Sequence, residues 1–177
     1  MTDRRVTTMG AAELRARQGP LKDRYRAQPE AARITLRAQG QLDDLSISCS
    51  VETGRQAAVA GLHPASGGDG SLACSGDMLL QALVACAGVT LRAIATTREL
   101  TVSGTVSAEG DLDFRGTMAV DREAPVGFSS IRLHFELDTD ASEADLDQLL
   151  AATERYCVVY QTLVRGVEVA VTRSAAN

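Results

Sequence analysis

The sequence predicts an α+β fold, and three observations support this class. Residues 100–114 and 131–138 alternate apolar and polar side chains with a period of two, which is the pattern of half-buried strands. Residues 76–97 are an apolar segment of helical length, with apolar side chains on most sides of the predicted helix. Short turn-forming segments separate the predicted strands, so hairpins connect them and the sheets are antiparallel.

The N-terminal residues 1–31 are predicted to form a helical arm, and residues 32–177 are predicted to form the folded domain. Residues 11–29 are polar and rich in arginine. The dipeptide Gly19-Pro20 is expected to divide them into one or two short surface helices.

Three predicted strands and a long helix open the domain. Turn-forming residues at Gly40 and at Thr53-Gly54 separate the strands. Ser75 is the predicted N-cap of helix 76–97. The three predicted strands are residues 32–38, 45–51 and 56–62.

The second half of the domain is predicted to hold the strand pair, one helical region and a last strand. Ser142 is the predicted N-cap of the helical region, which includes Cys157 and ends at Gly166. Residues 167–171 are the predicted last strand. The predicted order of elements is therefore β-β-β-α-β-β-α-β.

Composition and charge exclude several classes of protein. The chain has 177 residues, a formal net charge of −5, 3% aromatic residues and no Trp. Such a chain gains little from phosphate contacts or base stacking, so no nucleic-acid partner is expected. Gln81 and Arg92 interrupt the longest apolar stretch and the N-terminus has no apolar signal region, so neither a membrane nor export is expected. We therefore predict a cytoplasmic protein whose cysteines are reduced thiols.

The four cysteines are the most informative reactive side chains. Cys49 falls on the apolar face of a predicted strand and is expected to be a small buried side chain, whereas Cys74 is a loop thiol without an assigned role. No C-x-x-C pair and no histidine at ligand spacing accompanies them, so no metal site is predicted. Cys86 and Cys157 lie in helical regions that should meet in the core, and residue type alone favours two buried, inert thiols.

Other motifs carry weaker signals. Gly68-x-Gly70 fits a dinucleotide-binding fingerprint loosely, but its distance from the preceding strand and the hairpin strands beyond the helix favour a flexible loop. His63 lies at a strand end and His134 lies on a polar strand face, so both are expected to be structural or solvated. No cofactor is predicted.

Two segments resemble a known family. Residues 74–91, CSGDMLLQALVACAGVTL, resemble the first-cysteine helix of the OsmC/Ohr family, the osmotically induced protein C and organic hydroperoxide resistance proteins. Residues 154–159, ERYCVV, resemble the second-cysteine segment of that family. The resemblance covers roughly residues 32–173. It implies an OsmC-like fold with antiparallel sheets around a central cysteine-bearing helix, in an intertwined homodimer whose active sites lie near the subunit interface.

The same resemblance implies a chemistry. It suggests a thiol-dependent peroxidase that reduces organic hydroperoxides, in which Cys86 matches the peroxidatic cysteine and Cys157 the resolving cysteine. The implied cycle passes through a sulfenate and an intramolecular disulfide. An external dithiol, for example one of lipoyl type, would then reduce that disulfide.

A peroxidatic cysteine has to be largely thiolate, so its pKa has to be lowered. Cys86 lies about three turns into its helix, too far from the N-terminus of that helix for the dipole to act, so a cation is expected. The resemblance implies an arginine held by a glutamate, but Gly76 occupies the glutamate position, with Asp77 next to it. Arg37 and Arg55 are the candidate cations.

Two other functions stay open. The glutamate missing at Gly76 motivates a redox sensor, or a small-ligand-binding protein of the same fold, that oxidises once without turnover. The third possibility is a structural dimer whose cysteines only fill the core.

Overall fold

The computed structural model describes residues 10–28, 31, 40–42, 48–53 and 56–174, in which helices and two small sheets alternate. A short 3₁₀ turn, Pro64–Ser66, precedes the longest helix. The helices are α1 Ala11–Ala27, α2 Ser75–Thr97, α3 Phe114–Thr117, α4 Glu143–Tyr156 and α5 Val158–Arg165. The strands are β1 Gly40–Leu42, β2 Ser48–Thr53, β3 Gln56–Gly61, β4 Ala73–Cys74, β5 Val102–Asp111 and β6 Ser130–Thr139.

The first sheet has the order β1-β2-β3-β4. Strands β1, β2 and β3 are antiparallel neighbours, and the short β4 pairs with β3 in parallel, so that Gly61 lies opposite Cys74. The predicted strand 56–62 agrees with β3, and the predicted strand 45–51 overlaps β2. The predicted strand 32–38 lies outside the described residues.

The second sheet is the long antiparallel hairpin of β5 and β6, which the alternating pattern predicted. It pairs ten residues on each strand, from Val102 opposite Thr139 to Asp111 opposite Ser130. On its exposed face, Arg132 of β6 donates to Asp111 of β5 at 2.8 Å. The other face carries the apolar residues of β6, which are partly buried towards the helices.

The core lies where α2 crosses this hairpin and α4. Four residues spaced by four positions form one buried face of α2: Leu83, Ala87, Leu91 and Ala95. Leu91 and Ala95 cluster with Val102 of β5 and Leu149 of α4. The small alanines allow close helix packing, so a core without Trp is filled by aliphatic side chains.

The start of α2 corrects one prediction. The N-cap is Cys74 rather than Ser75, and its side chain makes no capping hydrogen bond. Because β4 extends through Cys74, the chain turns directly from the strand into the helix. By length and composition α2 could cross a membrane, but the core helix of a soluble protein has the same properties, and Leu83 and Ala87 pack inside this fold.

The second helical region is also corrected, because it is two helices rather than one. Ser142 does cap α4, and its hydroxyl accepts from the N–H of Asp145 at 3.2 Å. The helix stops at Cys157, whose backbone is extended with φ −73° and ψ 111°. The N–H of Cys157 donates to Thr153, and its sulfur accepts from the N–H of Tyr160 at 3.5 Å. Cys157 therefore ends α4 and caps α5.

The N-terminal arm forms the single helix α1, which continues through Gly19 and Pro20 rather than dividing there. Pro20 has no N–H, so the helix loses one internal hydrogen bond. An ion pair of 3.2 Å between Arg15 and Glu99 connects α1 to the end of α2. The boundary between arm and domain at residue 31 stays a prediction.

The predicted last strand is corrected as well. Residues 166–174 belong to no helix or strand, and neither described sheet includes them. Val167, Val169 and Val171 remain 64%, 77% and 91% exposed. The alternating valines that predicted a strand are therefore present, but this segment joins neither described sheet in the single chain.

The core position of Leu149 gives a testable stability difference. Leu149→Ala should lower the free energy of unfolding by about 2–5 kcal/mol, because it leaves a cavity beside Leu91 and Ala95. Leu21→Ala, the same substitution at an exposed position of α1, should change it by less than about 0.5 kcal/mol. Urea unfolding followed by circular dichroism measures both, and equal effects would contradict this description of the core.

Candidate functional site

The candidate site is the contact between the middle of α2 and the junction of α4 with α5. Cys86 lies beside the buried face of α2 and is partly exposed, whereas Cys157 at the junction is only 1% exposed. Helix α2 packs against both α4 and α5. The junction of α4 and α5 therefore lies against α2, near Cys86. The structure thus brings together the two cysteines that the sequence singled out.

Hydrogen-bond donors surround the Cys86 sulfur. The Cys157 thiol and the Thr90 hydroxyl, one turn further along α2, donate to it. The backbone N–H groups of Val158 and Val159 donate to it as well. These two groups belong to the first turn of α5, where N–H groups have no partner within their own helix. The N-terminus of α5 therefore faces the Cys86 sulfur.

These donors determine the ionisation of Cys86. Burial raises the pKa of the Cys86 thiol, but hydrogen bonds from the Val159 N–H, the Cys157 thiol, the Val158 N–H and the Thr90 hydroxyl lower it further than burial raises it. The net pKa of Cys86 is below the ordinary value for a cysteine. A helix N-terminus also carries partial positive charge, which favours an anion.

The Cys157 thiol shifts in the opposite direction. Burial raises its pKa, and the negative charge on the neighbouring Cys86 raises it further. The N–H groups of Tyr160 and Val159 oppose this rise without cancelling it. Of the two thiols, Cys86 is therefore the one that ionises more readily.

The described residues account for the lowered pKa of Cys86 without a cation, and the expected activating cation stays a prediction. Among the described residues, the groups that lower its pKa are neutral hydrogen-bond donors. Asp77 lies nine residues earlier on α2, roughly 13 Å along the axis and on the opposite face, so it does not contact the thiol. Arg37 and Arg55 lie outside the described residues, and their activating role stays a prediction.

Sequence reasoning missed two contributors to the site. The spacing of four residues between Cys86 and Thr90 could have indicated contact on one helix face. The helix break at Cys157 had no comparable signal, because no glycine or proline marks it.

A cavity of about 660 Å³ adjoins the thiol pair. It lies between the inner face of β6 and the helices α2, α4 and α5. Leu83, three residues before Cys86, lines one side, and Tyr160, whose N–H bonds Cys157, lines another. Neither cysteine is among the described lining residues, so a molecule in this space would lie near the thiol pair with Leu83 and Tyr160 as its neighbours.

The remaining candidates lie outside this site. His63 accepts from the N–H of Ala65 at 3.0 Å and stacks on Phe114 with 5.0 Å between ring centres, which is a structural role. Cys74 is a free thiol at the start of α2, and the Cys49 side chain lies outside the described residues. In the described part of the chain, no three His, Cys, Asp or Glu side chains cluster to hold a metal ion.

The fold and the paired cysteines agree with a family model. The model described as OsmC-like protein matches residues 68–172, more than half of the chain, and that range includes Cys86 and Cys157. The chain belongs to the OsmC family. No curated protein matches it significantly.

Solved structures agree with this OsmC fold. An OsmC-like protein from Mycoplasma pneumoniae superposes with a TM-score of 0.62 and 19% identity, over 76% of this chain and 89% of that chain. An OsmC-like protein of unknown function from Vibrio cholerae gives a TM-score of 0.54 and 14% identity, over 73% of this chain and 94% of that chain. At these identities the likeness shows the fold alone.

The lowered pKa of Cys86 can be tested by alkylation. The rate with iodoacetamide should reach half its maximum at a lower pH than for an ordinary cysteine, because the thiolate is the reacting form. Cys157→Ala and Thr90→Val each remove a donor, so both should move that midpoint to higher pH.

The matched control is Thr97→Val, which removes a hydroxyl of α2 that bonds only to Ala93. It should leave the midpoint unchanged. If neither Cys157→Ala nor Thr90→Val changes the pH midpoint of Cys86 alkylation, the described hydrogen bonds are contradicted.

Proposed function

We propose that the protein is a thiol-dependent peroxidase that reduces organic hydroperoxides, with Cys86 as the attacking cysteine and Cys157 as the resolving cysteine. One observation carries the proposal: the N-terminus of α5 and the Cys157 thiol donate to the same sulfur, Cys86, and lower its pKa. Membership of the OsmC family supports a peroxiredoxin-like function.

In the proposed first step, the Cys86 thiolate attacks one oxygen of the hydroperoxide. A sulfur–oxygen bond forms and the oxygen–oxygen bond breaks, so Cys86 becomes a sulfenic acid. The alkoxide leaves and takes up a proton to become the alcohol. The N–H groups of Val158 and Val159 hydrogen-bond the Cys86 sulfur and hold it in place.

In the proposed second step, the Cys157 sulfur attacks the Cys86 sulfenic acid. A sulfur–sulfur bond forms, and the hydroxyl leaves with the Cys157 proton as water. The raised pKa of Cys157 suits this order, because the thiol keeps its proton until the sulfenic acid exists. An external dithiol such as dihydrolipoamide then exchanges with the disulfide and restores both thiols.

A thiol count after one equivalent of cumene hydroperoxide tests this cycle. The native chain should lose two thiols and form a Cys86–Cys157 disulfide, because each thiol is close enough to shift the pKa of the other. Cys86→Ser should lower hydroperoxide consumption by more than about 100-fold. Cys157→Ser should still oxidise once but form no intramolecular disulfide.

The control is Cys74→Ser, which removes a free thiol at the start of α2 and should leave consumption unchanged. Unchanged consumption in Cys86→Ser would contradict the mechanism. Stoichiometric oxidation without repeated turnover under dihydrolipoamide would instead identify a redox sensor. Thiols that do not react in the folded state would identify a structural role.

We also propose that the working unit is a homodimer. Val89 on α2 and Val158 on α5 lie beside the two cysteines, yet they are 72% and 70% exposed. The valines of the C-terminal segment 167–171 are equally unprotected. Contiguous apolar surface of this kind is typical of an interface, and a second copy of the chain would cover it.

The mass of the particle in solution tests the dimer. The native chain should have about twice the mass of one chain by light scattering. Val89→Asp with Val169→Asp should favour the monomer, because each substitution puts a charge into the proposed interface. The control Val120→Asp changes an equally exposed valine, at 73%, in the connection between β5 and β6. A monomeric native chain would contradict the proposal.

A further inference from the structure

We infer that the cavity beside the thiols selects molecules with an apolar body and a neutral or cationic head, and disfavours carboxylates. This inference deepens the proposed function, because it names the substrate class of that same site. It rests on the volume of the cavity, its position and the charges of the side chains around it.

The cavity fits an organic molecule of moderate size. Its volume of about 660 Å³ lies within the usual range of small-molecule sites, about 300–1,000 Å³. Two thirds of the described lining residues are apolar. The apolar lining residues come from α2, from β6 and the segment before it, and from α4 and α5: Leu83, Phe128, Ile131, Leu133, Phe135, Leu150, Leu163 and Val164.

The position of Phe128 shows that this apolar wall is closely packed. A Cβ atom at Gly110 would lie 2.5 Å from the Phe128 ring, so only glycine allows the ring to pack on β5. A Cβ atom at Gly76 would lie 3.4 Å from the end of the same ring. The ring therefore lies against two glycines, and the space that the cavity offers is bounded by a fixed aromatic side chain.

The polar lining residues give the cavity its charge preference. Tyr160 can donate or accept a hydrogen bond, and Glu154 of α4 is an exposed lining residue. Ser130 and His134 belong to the exposed face of β6 that carries Arg132, so Glu154 is the charged side chain of the lining. None of the described lining residues is Lys or Arg. Within the described part of the chain, Glu154 forms no salt bridge, and the cation of Arg155 lies over the ring of Tyr156, 5.6 Å from its centre.

A carboxylate in this cavity would meet two costs. It would lose part of its hydration without a compensating cation, and it would lie near the like charge of Glu154. An alcohol, an ester or another neutral head meets neither cost, and an ammonium head gains from Glu154. Because Glu154 is exposed, the expected discrimination is modest, about two- to fivefold in affinity.

Calorimetry with 1-decanol, decylamine and decanoate tests the inference. The Cys86→Ser protein is used, so that binding is measured independently of any peroxidase activity. Decanol and decylamine should bind more tightly than decanoate, by about two- to fivefold. Glu154→Gln should remove this difference by improving decanoate binding and weakening decylamine binding.

Three variants keep the test specific. Glu143→Gln, at the distant end of the same helix, should preserve the discrimination. His134→Gln should preserve it too, since Glu154 carries the effect. Leu163→Trp, which fills the cavity, should weaken all three probes alike while circular dichroism shows the native helix content.

Equal binding of decanoate and decanol to the native cavity would overturn the inference. So would the absence of binding by all three probes, which would indicate that a second copy of the chain covers the cavity. A parallel measurement compares linoleic acid hydroperoxide with its methyl ester in the protein that keeps Cys86. If the binding preference holds while neither hydroperoxide is consumed, the proposed function fails and the ligand preference stands.

Discussion

The interruption of the helix at Cys157 is the constraint on which the site depends. A single helix through this region would satisfy the N–H groups of Val158 and Val159 internally, and they could not point at Cys86. The extended backbone of Cys157 frees them and starts α5 against α2. The buried Thr153 and Leu149 anchor α4 in the core just before the break. The position of the reactive sulfur is therefore set by how one helix ends.

The same interaction separates the roles of two chemically identical side chains. Cys86 receives donors from α2, from α5 and from Cys157, which outweigh the cost of its burial. Cys157 is more deeply buried and faces the charge of Cys86, so its pKa rises. A thiolate next to a protonated thiol is the arrangement that the proposed attack and resolution need. In the described part of the chain, neutral donors are the groups that lower the pKa of Cys86.

The single chain leaves several apolar surfaces uncovered around this site. The buried face of α2 packs against β5 and α4, but Val89 on its other side is exposed, and so are the valines after Gly166. The C-terminal segment has the alternation of a strand but is paired with none of the described strands. A second copy of the chain would give both surfaces a partner.

Much of this protein was determined by its sequence alone. Local periodicity predicted α2 and the β5–β6 hairpin, and the residue type predicted the cap at Ser142. Both signals depend on residues close in the chain. The resemblance of the segments around Cys86 and Cys157 to those of a known family singled out the cysteine pair. Only the tertiary structure decided the helix break at Cys157, the donors to Cys86 and the isolation of residues 167–171. The donors of the α4–α5 junction reach Cys86 from a distant segment of the chain, and contacts of this kind leave no period in the sequence.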